Sequence, residues 1–295
     1  MERGLYILDV FAEKKYSGNQ LAVVRNAQGL SGAEMQAICR EMNYSETTFI
    51  LSDQMRGGGY DVRIFTPEEE VPFAGHPTLG TAYLIQQEIV RQPVAGVKLN
   101  LQVGQIPVSF SYDSQGRPDE LWMRQMPPQF GDTLSAAEMA AVLGITAEQV
   151  DERFPIQEVS TGLPFVIVPL RDLAAVRQCQ TNTRALLKLL ESRTAKNVLV
   201  FAAGTYHPQN QLHARVFTDY LGIPEDPATG SANGCLAGYL ARYRYFGSPS
   251  IDIRVEQGYQ IGRESLLLLR AKDLGDTISV QVGGKVQMVA KGELQ

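Results

Sequence analysis

The sequence has few cysteines and no excess of basic residues. Its three cysteines, Cys39, Cys179 and Cys235, are scattered, and their odd number and spacing fit neither a disulfide framework nor a metal site. Sparse cysteine is typical of a reducing compartment, so a cytoplasmic location is expected. With 27 Lys and Arg against 32 Asp and Glu, the formal net charge is −5. That balance gives no electrostatic reason to expect binding to nucleic acid or to an anionic membrane.

Long apolar runs and nucleotide-binding signatures are also missing. The longest apolar runs, such as residues 198–203, are far shorter than the roughly 20 residues of a membrane-spanning helix. No Gly-x-Gly-x-x-Gly motif follows a predicted strand, and no phosphate-binding lysine loop occurs. His207 and His213 have no acid or cysteine grouped with them. The sequence therefore predicts neither a metal nor a cofactor.

The length and composition are those of an ordinary globular protein with more than one domain. The chain has 295 residues, of which 44% are hydrophobic and 20% are charged. At about 150 residues per domain, two domains are expected. A chain of this size can bury a large core without disulfides or metals.

A long internal repeat gives these two domains a common plan. Shifting the sequence by 152 residues places Tyr60-Asp-Val-Arg-Ile-Phe-Thr66 on Leu212-His-Ala-Arg-Val-Phe-Thr218. Three extra residues in the second copy then bring Gly75-His76 onto Gly230-Ser231. Each match is weak alone, but together and in order they predict two lobes of similar fold.

Local patterns predict the elements of each lobe. A capping box at Ser31 begins a helix with one apolar face, and Ser135-x-x-Glu138 begins another capped helix that ends at Gly144. Two further helices are apolar nearly all round and are predicted to be buried, at residues 78–90 and 232–243. Strands are predicted at residues 47–51, 60–66, 97–103, 106–112, 120–124, 159–170, 251–256 and 277–282.

The predicted fold class is α+β, with two pseudo-symmetric lobes. Each lobe is expected to be a barrel-like antiparallel sheet around one central helix. The boundaries are predicted at residues 1–125 and 126–295, with a linker near residues 125–133, where two prolines occur. Packing of the last strand back on the first lobe is compatible with these boundaries.

The candidate chemistry lies in two turns that the repeat pairs. Residues 71–80, VPFAGHPTLG, and 225–234, EDPATGSANG, each end a strand and begin a buried helix. A helix N-terminus presents unpaired N–H groups, and Gly75 and Gly230 leave room for a ligand to approach them. Two such helix starts facing one cleft would make a strong site for a carboxylate.

Three side chains in these turns are candidates. His76 can carry protons near neutral pH, and Asp226 can orient it or hold a substrate amine or hydroxyl. Structural explanations stay open for each. Ser231 can simply cap its helix, Asp226 can be a turn residue, and His76 can be a cap or a surface residue.

Glu46 is the fourth candidate, at the transition from a helix to a strand. Its counterpart in the second copy is Val198, so the acid is present in one lobe only. A carboxylate in an enclosed cleft can act as both an acid and a base. If both lobes hold one substrate, a single acid and base must come from one lobe only, as Glu46 does. An exposed glutamate at the start of a strand is the structural alternative.

These residues lie in motifs that resemble those of the PhzF family of phenazine-biosynthesis-like proteins. The resemblance covers nearly the whole chain and is carried by Arg40-Glu-Met-Asn-Tyr-Ser-Glu-Thr-Thr-Phe49, Arg63-Ile-Phe-Thr-Pro67, Pro72-Phe-Ala-Gly-His-Pro77, Glu225-Asp-Pro-Ala-Thr-Gly-Ser231 and Gln257-Gly-Tyr-Gln-Ile-Gly-Arg263. It implies the diaminopimelate-epimerase-like fold, a homodimer and cofactor-free isomerisation of a small carboxylate, such as trans-2,3-dihydro-3-hydroxyanthranilate.

The resemblance also implies roles for single residues. Glu46 would be the proton shuttle, and His76, Asp226 and Ser231 would complete the catalytic set. The backbone at Gly75, Gly230 and Ser231 would receive the substrate carboxylate.

Two other functions stay open at this stage. The related epimerases carry a cysteine in each turn, where this chain has Ala74 and Thr229, so a racemase using two thiols is disfavoured. An epimerase of an amino or hydroxy acid would have to use Glu46 with His76 or Asp226 instead. A non-catalytic binding protein that kept the fold and lost the reaction is the third hypothesis.

Overall fold

The computed structural model describes residues 3–295. The chain divides into two compact units. The first comprises the described residues up to Met123 together with Gly283–Gln295, and the second comprises Arg124–Val282. Among the helices of the described residues, none combines the length and the apolarity that crossing a membrane requires.

The described residues form eighteen strands and six α-helices. The strands are β1 Arg3–Val10, β2 Asn19–Arg25, β3 Thr47–Ile50, β4 Tyr60–Phe65, β5 Glu70–Val71, β6 Gly96–Leu101, β7 Gly104–Tyr112, β8 Pro118–Arg124, β9 Gln129–Leu134, β10 Ile156–Ser160, β11 Pro164–Pro169, β12 Asn197–Ala203, β13 Leu212–Thr218, β14 Ile223–Asp226, β15 Ser250–Gln257, β16 Ser265–Asp273, β17 Ile278–Gly284 and β18 Val286–Leu294. The helices are α1 Gly32–Met42, α2 Gly75–Leu84, α3 Ala136–Leu143, α4 Leu173–Gln178, α5 Thr183–Leu189 and α6 Gly230–Arg242.

The strand pairing of the two units follows one plan, which confirms the predicted pseudo-symmetry. In the first unit β18 pairs with β1, β1 with β2, β2 with β3, β3 with β4, and β4 with both β5 and β6. In the second unit the same sequence of pairs runs from β9 and β10 through β13 with β14 and β15. The last strand, β18, thus returns to the first unit.

Three details differ from the sequence predictions. Each unit contains two parallel pairs among its antiparallel ones, β2–β3 and β4–β6 in the first and β11–β12 and β13–β15 in the second. The predicted single strand at residues 159–170 is a hairpin of β10 and β11, because Gly162 turns the chain with φ +129. Half of the predicted linker is ordered as β9, which pairs with β10.

The two buried helices are α2 and α6, as their all-round apolar sequences predict. In α2 every residue except Gly75 and Tyr83 is buried, and in α6 every residue except Ser231 and Arg242 is buried. The first helix begins three residues earlier than predicted, because Pro77 occupies its third position, where a missing N–H group costs nothing. It continues as a π-helix, Ile85–Val90, which the sequence did not predict.

Other helices cover the outer side of each sheet. The capping box at Ser31 is formed, and α1 packs Met35 and Cys39 against Phe49 and Phe65. In the second unit α3, α4 and α5 pack on β11 and β12 around a larger apolar cluster. Each unit is therefore a sheet with a buried helix on one face and amphipathic helices on the other.

The repeat preserves an ion pair as well as strands. In the first unit Arg63 makes two hydrogen bonds to the Glu70 carboxylate, at 2.8 and 2.6 Å. In the second, Arg215 makes the equivalent pair to Glu225, at 3.0 and 2.7 Å. Each guanidinium also lies about 5 Å from the ring centroid of the phenylalanine two residues later, at 5.0 Å and 4.8 Å.

Close packing of α2 depends on Gly80. A β-carbon at this position would lie 2.5 Å from Leu21 Cδ2 and 2.9 Å from Val10 Cγ2, inside a fully buried region. We expect Gly80→Ala to lower the free energy of unfolding by about 1–3 kcal/mol through overpacking. Gly292→Ala is the control, since no atom lies within 4 Å of its β-carbon position. Equal urea midpoints for the two variants would contradict the close approach.

Candidate active site

Glu46 is placed by the end of one helix and the start of a buried strand. Helix α1 ends at Asn43, which has φ +53 and donates its N–H to the Cys39 carbonyl. Strand β3 begins at Thr47, opposite Ala22 of β2. Only two residues, Tyr44 and Ser45, lie between that cap and Glu46. The carboxylate is 19% exposed, so the structure places it at a partly buried position rather than on an open surface.

His76 lies in the first turn of α2 and faces Glu46. The helix is held to β3 by a 2.8 Å hydrogen bond between the Thr48 and Thr81 hydroxyls, and to β2 by the close approach at Gly80. This packing brings His76 Nε2 to 3.4 Å from Glu46 Oε2, and the histidine side chain is only 7% exposed. The structure thus brings together two of the residues that the sequence proposed for chemistry.

Burial makes the His76 ring neutral. It lowers the pKa of His76 from 6.5 to about 3, because an apolar environment disfavours the charged imidazolium. A hydrogen bond with the Gln20 backbone acts the opposite way and favours the protonated ring, so the ring nitrogen is the donor and the Gln20 carbonyl the acceptor.

The tautomer follows from these contacts. Nε2 makes no hydrogen bond within residues 3–295, so Nδ1 is the nitrogen that donates to Gln20. The proton of the neutral ring therefore sits on Nδ1, and the lone pair of Nε2 faces Glu46. A buried acceptor without a hydrogen bond is costly in a folded protein and is typical of a functional position.

The depressed pKa of His76 predicts a pH dependence of stability. Between pH 6.5 and about 3 the unfolded chain binds a proton at this residue that the folded chain does not. The free energy of unfolding therefore rises with pH through this range. The contribution of the neutral His76 ring is fully present above pH 6.5 and is lost as the pH falls toward 3. We expect the free energy of urea unfolding between these limits to depend less steeply on pH in His76→Phe, by up to one proton. An unchanged slope in His76→Phe would show that the ring titrates normally.

The second turn places Asp226 at the end of β14 and begins α6. The carboxylate of Asp226, a residue 8% exposed, accepts a short hydrogen bond from the Thr229 hydroxyl. Thr229 is the N-cap residue of α6, so Ser231 lies inside the first turn of the helix. The structural alternative that Ser231 caps this helix is therefore wrong.

Both buried helices begin without a side-chain cap. Neither Ala74 before α2 nor Thr229 before α6 accepts a hydrogen bond from the first turn through its side chain. Their first N–H groups keep the positive end of the helix dipole available to an anion. The backbone at Gly75, Gly230 and Ser231 belongs to these two helix starts, each in its own unit.

The three cysteine thiols and His213 are buried, and no role in the chemistry is assigned to them. Cys39, Cys179 and Cys235 are free and buried, and burial raises the pKa of the Cys235 thiol to about 11. In residues 3–295 no three His, Cys, Asp or Glu side chains are grouped as metal ligands would be. His213 is fully buried and pairs with Glu256, which also accepts three hydrogen bonds from the loop before β13.

Sequence reasoning missed two contributors to the site. The Gln20 backbone that fixes the His76 tautomer carries no side-chain signal. Gln257 is fully buried beside Asp226 and Thr229, and its motif had been noticed without any role being assigned to it. The signal that marks Gln257 is its burial at the end of a strand, which only the structure shows.

Comparison with known proteins adds the family. The model of the family described as "Phenazine biosynthesis-like protein" matches residues 8–292. The trans-2,3-dihydro-3-hydroxyanthranilate isomerase of Pseudomonas aeruginosa is 36% identical over 288 residues, covering 97% of each chain. An uncharacterized isomerase of Clostridium acetobutylicum is 31% identical over 296 residues, covering 98% of this chain and 97% of the relative.

Solved structures show the same relationship. A Bacillus anthracis phenazine biosynthesis protein of the PhzF family superposes with a TM-score of 0.90 at 27% identity, over the full length of both chains. A hydroxyproline epimerase from Agrobacterium vitis superposes with a TM-score of 0.61 at 10% identity, covering 99% of this chain and 91% of the other. The second likeness shows a shared epimerase-like fold and nothing about chemistry.

Proposed function

Because the chain belongs to the phenazine biosynthesis-like family and is an isomerase, we propose that it isomerises a small cyclic carboxylate without a cofactor. The reaction would move a hydrogen between two ring carbons, as in the conversion of trans-2,3-dihydro-3-hydroxyanthranilate to a ketone. The observation that carries this proposal is the Glu46–His76 pair, with 3.4 Å between Oε2 and Nε2 in a largely buried setting.

Glu46 is the proton shuttle in this proposal. A general acid and base must give and take a proton at the substrate, and a partly buried carboxylate is suited to both steps. Glu46 removes the proton from one ring carbon and returns it to another, so no proton is gained or lost overall. Its single copy, against Val198 in the second unit, suits a transfer by one group.

The neutral His76 ring can form a hydrogen bond with the Glu46 carboxyl without forming an ion pair with it. With its proton on Nδ1, the ring presents a lone pair to Glu46 and can accept a hydrogen bond from the protonated carboxyl. It does not act as a cation at neutral pH, because burial has lowered its pKa to about 3. We therefore assign His76 the role of acceptor for the acid form of Glu46.

Asp226 and Ser231 are proposed to bind the substrate rather than to move its hydrogen. A carboxylate can hold an amine or a hydroxyl of the substrate, and Asp226 is held in place by Thr229. The N–H groups of Gly230 and Ser231 at the start of α6 can receive a substrate carboxylate, and the N–H group of Gly75 at the start of α2 offers the same kind of anion site in its own unit. We also propose that the protein acts as a homodimer, as the family resemblance implies.

A racemase with two thiols is not supported by the two turns. Ala74 and Thr229 are the equivalent N-cap residues of α2 and α6, and neither can deprotonate an α-carbon. The 10% identity to a hydroxyproline epimerase concerns the fold alone. Isomerisation by one carboxylate is the function that these residues fit best.

The test is incubation of the pure protein with trans-2,3-dihydro-3-hydroxyanthranilate in D2O. Consumption followed by absorbance, with the fate of the ring hydrogens followed by proton NMR, would support the isomerase. If the compound is unchanged, this substrate is wrong. A panel of small carboxylates assayed for deuterium exchange then separates another isomerisation or an epimerisation from simple binding.

A further inference from the structure

A buried amide holds the turn that carries Asp226. Gln257 ends β15 and is fully buried. Its Nε2 donates to the Asp226 carbonyl at 2.8 Å and to the Thr229 hydroxyl at 3.1 Å. Its Oε1 accepts from Asn233 Nδ2 at 2.8 Å and from the Thr229 N–H at 3.4 Å. Every hydrogen-bonding position of one side chain is thus turned toward the start of α6.

These contacts form a directed chain that ends on the carboxylate. The Thr229 hydroxyl accepts from Gln257 Nε2, so its own hydrogen is left to donate to Asp226 Oδ2. A hydroxyl has one hydrogen, and an amide donor on its lone pair decides where that hydrogen points. Gln257 therefore sets the direction of the Thr229 donor and, through it, the position of Asp226.

The backbone beyond Gln257 is also fitted to this turn. Gly258 has φ +80, and a β-carbon there would lie 2.6 Å from the Pro227 carbonyl and 2.3 Å from the Arg263 carbonyl. A side chain at this position would push the strand end away from the turn. The end of β15 and the Asp226 turn consequently form one packed structure.

In the first unit the equivalent buried helix, α2, begins without a matching chain of hydrogen bonds. Asp226 pairs with Val216 of β13, and Val71 pairs with the equivalent Ile64 of β4. Parallel pairing of β13 with β15 and of β4 with β6 makes Leu101 the equivalent of Gln257. The N-cap residues are Thr229 and Ala74.

All three members of the chain are therefore aliphatic in the first unit, where they are Val71, Ala74 and Leu101. Helix α2 nevertheless starts in the same way as α6, at a glycine after an extended N-cap residue. Stability of a helix start does not explain the polar set, which occurs only in the unit that carries Asp226.

We propose that Gln257 is a positioning residue of the reaction, acting through the Thr229 hydroxyl to fix the Asp226 carboxylate toward the substrate. This inference rests on the proposed function, in which Asp226 binds the substrate. It assigns no contact between Gln257 and the substrate.

A double-mutant cycle tests the chain. Gln257→Leu introduces the residue of the first unit, Thr229→Val removes only the hydroxyl, and Thr229→Ser is the control that keeps it. With trans-2,3-dihydro-3-hydroxyanthranilate we expect Gln257→Leu and Thr229→Val each to lower kcat/KM about tenfold, the loss of one hydrogen bond to a charged group. Thr229→Ser stays near the wild-type value. The double variant is expected to be no worse than the singles, because both changes break one chain.

An independent measurement separates this inference from the choice of substrate. The carboxyl carbon of Asp226 is followed by ¹³C NMR, with its signal assigned from Asp226→Asn. Loss of an oriented hydroxyl donor disfavours the ionised carboxylate, so its titration midpoint should rise in Gln257→Leu and in Thr229→Val. If the wild type does not consume the compound but the midpoints rise, the proposed substrate is wrong, and the positioning of Asp226 by Gln257 through Thr229 is still supported. Unchanged midpoints in Gln257→Leu, or kinetic losses that simply add in the double variant, would overturn the inference.

Discussion

Glu46→Gln should abolish turnover while ligand binding survives. Proton transfer by a positioned side chain contributes about 10²- to 10⁴-fold to a rate, and an amide cannot exchange a proton with carbon at neutral pH. We therefore expect kcat to fall by about that factor, with KM nearly unchanged because the shape of the side chain is kept. The measurement is steady-state turnover of trans-2,3-dihydro-3-hydroxyanthranilate, together with deuterium incorporation in D2O.

The geometry predicts that this variant folds as well as the wild type. The amide that Glu46→Gln introduces can donate a hydrogen to the His76 Nε2 lone pair, which makes no hydrogen bond in the wild-type residues described. Thermal unfolding should therefore show no loss of stability. A large fall in Tm would mean that reduced activity reports unfolding, and the variant would not then test the shuttle.

A matched control uses the same chemical change nearby. Glu41 lies on α1 five residues before Glu46 and is exposed. Glu41→Gln is expected to keep wild-type kcat, since it removes one charge and no proton donor near the Glu46–His76 pair. If Glu46→Gln retains kcat within about threefold of this control, Glu46 is not the acid and base of the reaction.

The fold could be predicted because its signals are local and repeated. Ser31-x-x-Glu34 and Ser135-x-x-Glu138 predicted two helix starts, and the structure confirms both. The capping box is complete at Ser31, and at Ser135 the serine hydroxyl accepts from the Glu138 N–H. The repeat of Arg63 and Phe65 at Arg215 and Phe217 revealed the duplication, since in each unit the arginine makes the same ion pair and the same ring contact. Parallel pairing left no such signal, because a strand sequence does not state the direction of its neighbour.

The site was only partly predictable for a similar reason. Glu46 and His76 stood out by residue type, and the structure places them 3.4 Å apart. The neutral state of His76 arises from burial, and its tautomer is set by a backbone carbonyl on β2, which lies distant in sequence. Gln257 was hidden because the role of a glutamine depends on what its amide meets. Contacts between distant segments, rather than composition, decide these features.

Removing the Glu225 carboxylate should destabilise the second unit far more than removing Glu70 destabilises the first. The side chains of Arg215 and Glu225 are 9% and 7% exposed, whereas those of Arg63 and Glu70 are 31% and 23% exposed. An arginine left buried without its partner costs about 3–5 kcal/mol. The more exposed pair is screened by water and is worth about 1 kcal/mol or less. The duplication thus supplies the same ion pair at two degrees of burial.

The comparison is made between Glu225→Ala and Glu70→Ala. Because the two ion pairs lie in different units, the measurement is hydrogen exchange read by mass spectrometry, which reports each unit separately. Peptides from β13 should lose protection in Glu225→Ala by the larger amount. Peptides from β4 should change little in Glu70→Ala. Equal losses would mean that burial of the pair does not set its contribution.

A second change identifies the uncompensated charge as the cause. Arg215 Nη1 also donates to the Cys179 carbonyl at 2.6 Å and the Val176 carbonyl at 3.1 Å, so the guanidinium stays in place when Glu225 is lost. Its Nε and Nη2 then face a low-dielectric environment without an acceptor. Adding Arg215→Met to Glu225→Ala removes that charge and should restore part of the lost protection, although two partners are now absent. If the double variant is instead less stable than Glu225→Ala by the full cost of a second deletion, the destabilisation comes from lost packing rather than from a buried charge.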